Sequence, residues 1–179
     1  DGIAEPSVLR RPDGSSVYVV AGSTRYTSQR ILDAEQRLLA IAALVDGMVV
    51  GERSISLALL SSLANGTQLN VGQTELVQTM ASSGARLQLA IAPAGAGKTT
   101  AMSTLALAWR EAGGDVLGLA PSAAAAAGLA EQLGGPADTL HLLTHGLASG
   151  RLAAWAERIG PRTLVVIDEA GMADTLTLE

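Results

Sequence analysis

The sequence contains neither cysteine nor phenylalanine, and lysine occurs once, at Lys98. Without cysteine the chain has no disulfide and no thiolate metal site, which suits a reducing cytoplasm. No apolar run is long enough to cross a bilayer and no signal peptide opens the chain, so we expect a cytoplasmic protein without membrane contact. Aromatic residues are limited to two tyrosines and two tryptophans, so a core must be built from aliphatic side chains and alanine.

Length and charge set further limits. With 179 residues, 48% of them apolar, the chain is long enough for one domain with a real core, or one domain and a small appendage. The formal net charge is −5, which argues against a wholly basic protein that coats nucleic acid. A local track for single-stranded DNA remains compatible with this charge.

The single lysine lies in a glycine-rich segment, Ala-Gly-Ala-Gly-Lys-Thr-Thr, directly after the apolar run 87–92. A strand that opens through such a loop into a helix directs several backbone N–H groups at one point, where a phosphate binds. Lys98 would contact the β- and γ-phosphates and the Thr99 hydroxyl would ligate Mg²⁺. The alternative is an ordinary glycine-rich turn, because Ala92 stands where the phosphate-loop pattern has glycine. The predicted nucleotide-binding residues of this segment are Ala94, Gly95, Ala96, Gly97, Lys98, Thr99 and Thr100.

A second candidate segment is the apolar run 164–167, which ends in Asp168-Glu169. Such a run is typical of a strand buried in a parallel sheet, and its carboxyl end faces the same rim as the loop after residue 91. We therefore predict that Asp168 holds Mg²⁺ and that Glu169 orients or deprotonates the attacking water. On its own, an acidic pair after a strand is equally a solvated helix start.

The chain divides into two predicted parts. Residues 1–67 form a small, mostly helical unit, with a strand at 17–21 and helices at about 29–45 and 55–64. Residues 68–179 alternate between helix and strand, which predicts an α/β fold with a parallel sheet. The predicted strands of this part are 87–92, 116–120 and 164–167, and its predicted helices are about 70–83, 99–112, 123–133, 140–147 and 152–159.

Several strings together resemble one family. The Ala94–Thr100 loop, Leu119-Ala-Pro-Ser122, Ala137-Asp-Thr-Leu-His-Leu-Leu143 and Val165-Val-Ile-Asp-Glu-Ala-Gly-Met172 occur in the order seen in superfamily 1 RecD-like DNA helicases, above all in the helicase half of conjugative relaxases. The resemblance covers residues 69–179 well. Residues 1–68 match mainly through Arg25-Tyr-Thr-Ser28 and Glu35.

The resemblance implies the first RecA-like P-loop NTPase lobe of an ATP-dependent DNA helicase that uses ATP and Mg²⁺. Because the chain stops ten residues after Glu169, it further implies an incomplete lobe, whose partner would be a second RecA-like lobe of the same parent chain. We expect the full-length parent to hydrolyse ATP and this fragment alone to be inactive.

The resemblance also assigns individual roles. It makes Lys98 and Glu169 the catalytic residues, Thr99 and Asp168 the metal ligands, and Gln73 the residue that reads adenine. Asn70 and Gln73 are also spaced as a capping box, in which the glutamine only bonds back to the helix start. Residues matching positions that touch single-stranded DNA are Ser122, Thr139 and His141, and a serine after a proline is equally a helix N-cap.

Two other functions remain open. One is a different P-loop NTPase, such as a small-molecule kinase or a partitioning ATPase. The other is a non-enzymatic recruitment module that carries a signal recognised by the conjugative transfer machinery.

Overall fold

The computed structural model describes residues 27–91, 93 and 96–179. The strand predicted at 17–21 lies outside the described residues, as do Arg25 and Tyr26 of the segment that resembles the relaxases. Within the described residues the chain forms seven α-helices and three β-strands. The helices are α1 (Gln29–Ala42), α2 (Glu52–Ala64), α3 (Val71–Ser82), α4 (Lys98–Glu111), α5 (Ala123–Leu133), α6 (Leu140–Ser149) and α7 (Thr175–Leu178).

The strands are β1 (Asp115–Ala120), β2 (Ala137–Thr139) and β3 (Thr163–Ile167), and they form one parallel sheet in the order β2-β1-β3. In its register, Gly118 of β1 lies opposite Ala137 of β2 and Val166 of β3. Residues 116–120 of the central strand are buried, as expected for a parallel strand covered on both faces. The predicted α/β fold with a parallel sheet is therefore confirmed.

The main hydrophobic core lies between the helices and the sheet. α4 is its centre, with Ala101, Leu105 and Ala108 almost fully buried. α2 and α3 pack on α4, and Ile55 of α2 and Val77 of α3 belong to the same core. Small residues on α4 let these helices approach closely, which suits a chain without phenylalanine. The division at residue 67 stays a prediction, and the described helices on both sides of it share this core.

Local signals explain several helix ends. Ser122 caps α5 by accepting a hydrogen bond from the Ala125 N–H, and Gly134 ends the helix with a φ of +63°. Asn70 and Gln73 form a complete capping box at the start of α3. These residue types stabilise helix ends through their side chains or their backbone freedom. The bounds predicted for α3 and α5 from the sequence are therefore close to the observed ones.

Residues 87–91 do not form the predicted strand, and residue 92 lies outside the described part of the chain. A strand exists only through hydrogen bonds to a neighbour, and the sheet of the described residues contains β1, β2 and β3 alone. The side chains of Leu89 and Ile91 are 74% and 91% exposed, which is the opposite of the burial that their apolar character predicts.

Three other boundaries differ from prediction. α1 ends at Ala42 rather than Val45, because the chain after it bonds elsewhere: the Leu44 carbonyl accepts from the Arg86 N–H. The helix predicted at 152–159 is a single 3-10 turn over residues 156–158, closed off by Gly160 and Pro161. α2 begins three residues earlier than predicted, after Gly51.

A search for membrane-spanning helices among residues 27–91, 93 and 96–179 finds none with the required length and apolar character.

Candidate functional site

Gly97 connects the candidate phosphate loop to α4. Its φ of +71° lies in the left-handed region that favours glycine, and the helix begins at the next residue, Lys98. The Lys98 ammonium donates to the Pro93 carbonyl at 3.2 Å, and the Ala96 N–H donates to the same oxygen at 3.2 Å. The Pro93 carbonyl therefore binds both the backbone before Gly97 and the lysine side chain. Ala94 and Gly95 lie outside the described residues.

The start of α4 lies toward the carboxyl ends of the strands. Only residues 112–114 join α4 to β1, and α4 packs against both β1 and β3, so the helix runs antiparallel to them. Fourteen helical residues and six strand residues are both about 20 Å long. Lys98 and the exposed Thr99 are therefore directed to the same end of the sheet as Asp168.

Gln73 connects this loop to the start of α3. Its Oε1 accepts from the Asn70 N–H at 2.9 Å, which completes the capping box. Its Nε2 donates to the carbonyls of Ala96 and Gly97, each at 3.2 Å. The capping interpretation is therefore correct as geometry, and the structure adds a contact to the loop. The adenine role stays a prediction.

Asp168 and Glu169 lie where β3 ends. The Asp168 N–H continues the sheet by donating to Leu119, and the Asp168 carboxylate accepts from the Glu169 N–H at 2.9 Å. Glu169 has a φ of +51° and is the only non-glycine residue among those described with a positive φ. Both side chains are exposed. Non-glycine residues in this region are strained, and such strain is concentrated at functional sites.

A cavity of about 230 Å³ opens beside this acidic pair at the carboxyl ends of β1 and β3. It brings together three residues that the sequence singled out, Asp168, Glu169 and His141. Lys98 and Thr99 do not line it. Its lining mixes polar side chains with apolar ones such as Ala120 and Leu140.

Sequence reasoning missed Asp174, which also lines this cavity. Its carboxylate caps α7 by accepting from the Thr177 N–H at 3.0 Å and the Thr177 hydroxyl at 2.8 Å. These hydrogen bonds from Thr177 hold the pKa of Asp174 below its ordinary value. Asp174 is recognisable as a helix N-cap from its sequence, but only the fold shows that it lines one cavity with Asp168 and Glu169.

The remaining predicted DNA-contact residues have structural roles. Ser122 caps α5, and the Thr139 hydroxyl caps α6 by accepting from the Leu142 N–H at 3.2 Å. Both residues sit where a strand of the sheet gives way to a helix, at the same end of the sheet as His141. The capping geometry leaves their DNA role a prediction, because a hydroxyl that caps a helix still accepts or donates a second bond.

The two tryptophans belong to the core rather than to a base-stacking surface. Trp109 is 7% exposed, and its indole N–H donates to the Arg162 carbonyl at 2.9 Å. Trp155 packs against the smaller core formed by Leu117, Leu119 and Leu140. Trp109 therefore satisfies its one polar group internally, as buried indoles ordinarily do, whereas Trp155 is half-buried.

Comparison with known protein families matches residues 68–179 to the AAA domain family. The match covers more than half of the chain, so the chain belongs to this family of P-loop NTPases. It therefore carries a nucleotide-binding, helicase-like P-loop domain, as the loop before α4 and the acidic pair after β3 predict. Neither the curated proteins nor the solved structures contain a significant match to the chain.

Proposed function

We propose that this chain, as a member of the AAA domain family, binds Mg²⁺-ATP at the loop before α4. We propose further that it forms part of the motor of a DNA helicase. The observation that carries the proposal is the left-handed backbone conformation of Gly97, directly before Lys98. The Lys98 ammonium donates a hydrogen bond to the Pro93 carbonyl of the same loop. Such a loop at a helix N-terminus binds phosphate through backbone N–H groups and the helix dipole. The residues present fit the triphosphate and its metal.

Each polar residue has one role in this proposal. Lys98 exchanges its bond to Pro93 for the β- and γ-phosphates, and Thr99, exposed at the first turn of α4, ligates Mg²⁺. Among residues 27–91, 93 and 96–179, the Asp168 carboxylate accepts through one oxygen, from the Glu169 N–H, and its second oxygen is available to the metal shell. The exposed carboxylate of Glu169 orients the attacking water. When bound, Mg²⁺ neutralises charge that develops on the phosphates.

Single-stranded DNA is the proposed second ligand. Ser122, Thr139 and His141 follow β1 and β2 at the carboxyl edge of the sheet, and His141 shares a cavity with Asp168 and Glu169. That arrangement supports a DNA-contacting edge beside the residues proposed for hydrolysis. A helicase lobe from a conjugative relaxase, acting with a second RecA-like lobe and the transfer machinery, is the finer proposal. It rests on the four strings that resemble those of conjugative relaxases in the same order, and the string Asp138-Thr-Leu-His141 argues against a small-molecule kinase or a partitioning ATPase.

Calorimetry with ATP and ADP tests nucleotide binding. We expect wild type to bind both in the presence of Mg²⁺ and Lys98→Ala to bind at least about tenfold more weakly, since charge-assisted hydrogen bonds contribute about 1.5–3 kcal/mol. Arg86→Ala is the matched control, because it removes another cation that pairs only with Asp46 at the surface. Equal affinity in wild type and Lys98→Ala would show that the loop is structural.

DNA binding needs a separate measurement. Fluorescence anisotropy with a labelled oligonucleotide should show binding to single-stranded DNA that weakens in His141→Ala and decreases as salt rises. If wild type shows no DNA binding but binds a coupling protein of the transfer machinery, the recruitment module is the better account.

A further inference from the structure

One side chain joins the first turn of α3 to the end of the phosphate loop. Gln73 uses both ends of its amide: Oε1 accepts from the Asn70 N–H, and Nε2 donates to two successive loop carbonyls, those of Ala96 and Gly97. A capping box requires only the first of these bonds. The bonds from Nε2 therefore need a separate explanation.

The loop passes Gln73 so closely that a side chain at residue 97 would displace the Gln73 amide. A Cβ built on Gly97 would lie 2.2 Å from Gln73 Nε2, well inside any real contact distance. The φ of +71° at Gly97 adds an independent conformational reason for glycine. The Gln73 amide therefore occupies the space that a side chain at residue 97 would need. This close contact involves the loop and not the cap of α3.

The two carbonyls control the direction of two N–H groups. The described peptide bonds are trans, and in a trans peptide the C=O of one residue and the N–H of the next point in opposite directions. When Gln73 holds the Ala96 carbonyl, it orients the Gly97 N–H away from itself. The Gly97 carbonyl also accepts from the Ala101 N–H of α4, so Gln73 and the first turn of the helix together direct the Lys98 N–H. These two N–H groups belong to the junction where the loop meets α4.

We infer that Gln73 is a positioning residue, which orients the backbone donors of Gly97 and Lys98 toward the phosphates by holding the carbonyls on the opposite side of their peptides. The inference rests on the proposed nucleotide function and deepens it. Gln73 thereby acts on the phosphate chain of any nucleotide, whatever its base. Preorganised donors bind an anion without first rearranging the loop.

Three variants separate this role from capping and from base recognition. Gln73→Glu keeps an oxygen for the Asn70 N–H but presents a second oxygen to the two loop carbonyls, so the cap stays and the loop contact is lost. Gln73→Met removes both contacts without adding charge. Asn70→Ala removes the acceptor of the Gln73 N–H and leaves the Nε2 bonds in place. Thermal melting checks that each variant is folded.

The experiment measures the affinities of Mg²⁺-ATP and of Mg²⁺ with inorganic triphosphate, which has no base. We expect Gln73→Glu and Gln73→Met to bind both ligands about tenfold more weakly, and Asn70→Ala to bind both as wild type does. Loss confined to ATP would show that Gln73 reads adenine and would overturn the inference. Loss confined to Gln73→Glu would show a charge effect and would overturn it equally.

Amide signals of the ligand-free protein test the geometry without any nucleotide. In ¹⁵N NMR spectra, the Gly97 and Lys98 amide signals should shift in both Gln73 variants and stay in place in Asn70→Ala. Unchanged signals in the Gln73 variants would overturn the inference about Gln73 and leave the proposed nucleotide function standing. If wild type binds neither ATP nor triphosphate, the proposed nucleotide function fails and the inference fails with it.

Discussion

Replacing Glu169 by glycine should stabilise the protein while removing the carboxylate proposed for hydrolysis. The residue has a φ of +51° and a ψ of +37°, in the left-handed region. A side chain there is unfavourable by about 1–2 kcal/mol. Glycine avoids this strain but loses about 0.5–1 kcal/mol more conformational entropy on folding. The two ranges differ by about 0–1.5 kcal/mol, which at their midpoints is a net gain of about 0.75 kcal/mol.

The contacts around Glu169 survive the change. Its N–H donates to the Asp168 carboxylate and its carbonyl accepts from the Met172 N–H, and both groups belong to the backbone. The Glu169 side chain is exposed, so little packing is lost. For a chain of this size, about 1 kcal/mol corresponds to a rise in Tm of about 2–4 °C.

Differential scanning calorimetry of Glu169→Gly, Glu169→Gln and wild type measures this effect. Glutamine keeps the Cβ and the strain but removes the charge, so its Tm should equal that of wild type. Both variants should still bind ATP, because neither touches the loop. A Glu169→Gly protein that melts at or below the temperature of Glu169→Gln would refute the account of strain at this residue.

Two further predictions concern the packing that supports the site. Thr104→Val should lower the free energy of unfolding by about 1–3 kcal/mol, because it leaves the buried Ser62 hydroxyl, 2.9 Å from the Thr104 hydroxyl, without this partner. Chemical denaturation should then show that Thr104→Val with Ser62→Ala costs less than the sum of the two single changes, and a strictly additive result would contradict direct coupling. Gly118→Ala should also destabilise by about 1–3 kcal/mol, because its Cβ would lie 2.8 Å from Leu129 Cδ2 and from Ala137 Cβ. A melting temperature equal to that of wild type would show that β1 and α5 can move apart slightly without loss of stability.

The sequence predicts the elements that carry their own signals. β1 and β3 are apolar runs bounded by glycine, proline or acidic residues, and α5 has a serine cap at one end and a glycine at the other. These signals act within a few residues, so a local pattern is sufficient to place them. The same holds for the capping box of Asn70 and Gln73, which was predicted from spacing alone.

Elements that depend on distant partners were not predictable. β2 has only three residues, and it is a strand because Pro136 and its neighbours meet Gly118 of β1. Residues 87–91 have the apolar character of a strand but no ladder partner in the described sheet, so character alone was misleading. The hydrophobic pattern of a segment indicates which of its side chains favour burial. Whether the segment forms a strand depends on a neighbouring strand with which its backbone can bond.

The candidate site shows the same division. The loop motif and the acidic pair were identifiable because each is a short string with a fixed chemical purpose. The bonds from Gln73 to Ala96 and Gly97 span more than twenty residues, and the cavity that Asp174 shares with Glu169 is also lined by residues of distant segments such as Ala120 and His141. Such contacts have no local pattern, so they are found only once the helices are placed.

Paramagnetic broadening by Mn²⁺-ATP tests the central claim most directly, because Mn²⁺ replaces Mg²⁺ at oxygen-ligated sites and broadens nearby amide signals. A single metal-nucleotide site between the start of α4 and the end of β3 predicts that the Thr99 and Asp168 amides broaden together, at the same concentration of Mn²⁺-ATP. The broadening should disappear from both segments in Lys98→Ala. Broadening at Asp168 that persists in Lys98→Ala, or that never reaches Thr99, would contradict the claim that the loop and the acidic pair form one nucleotide site.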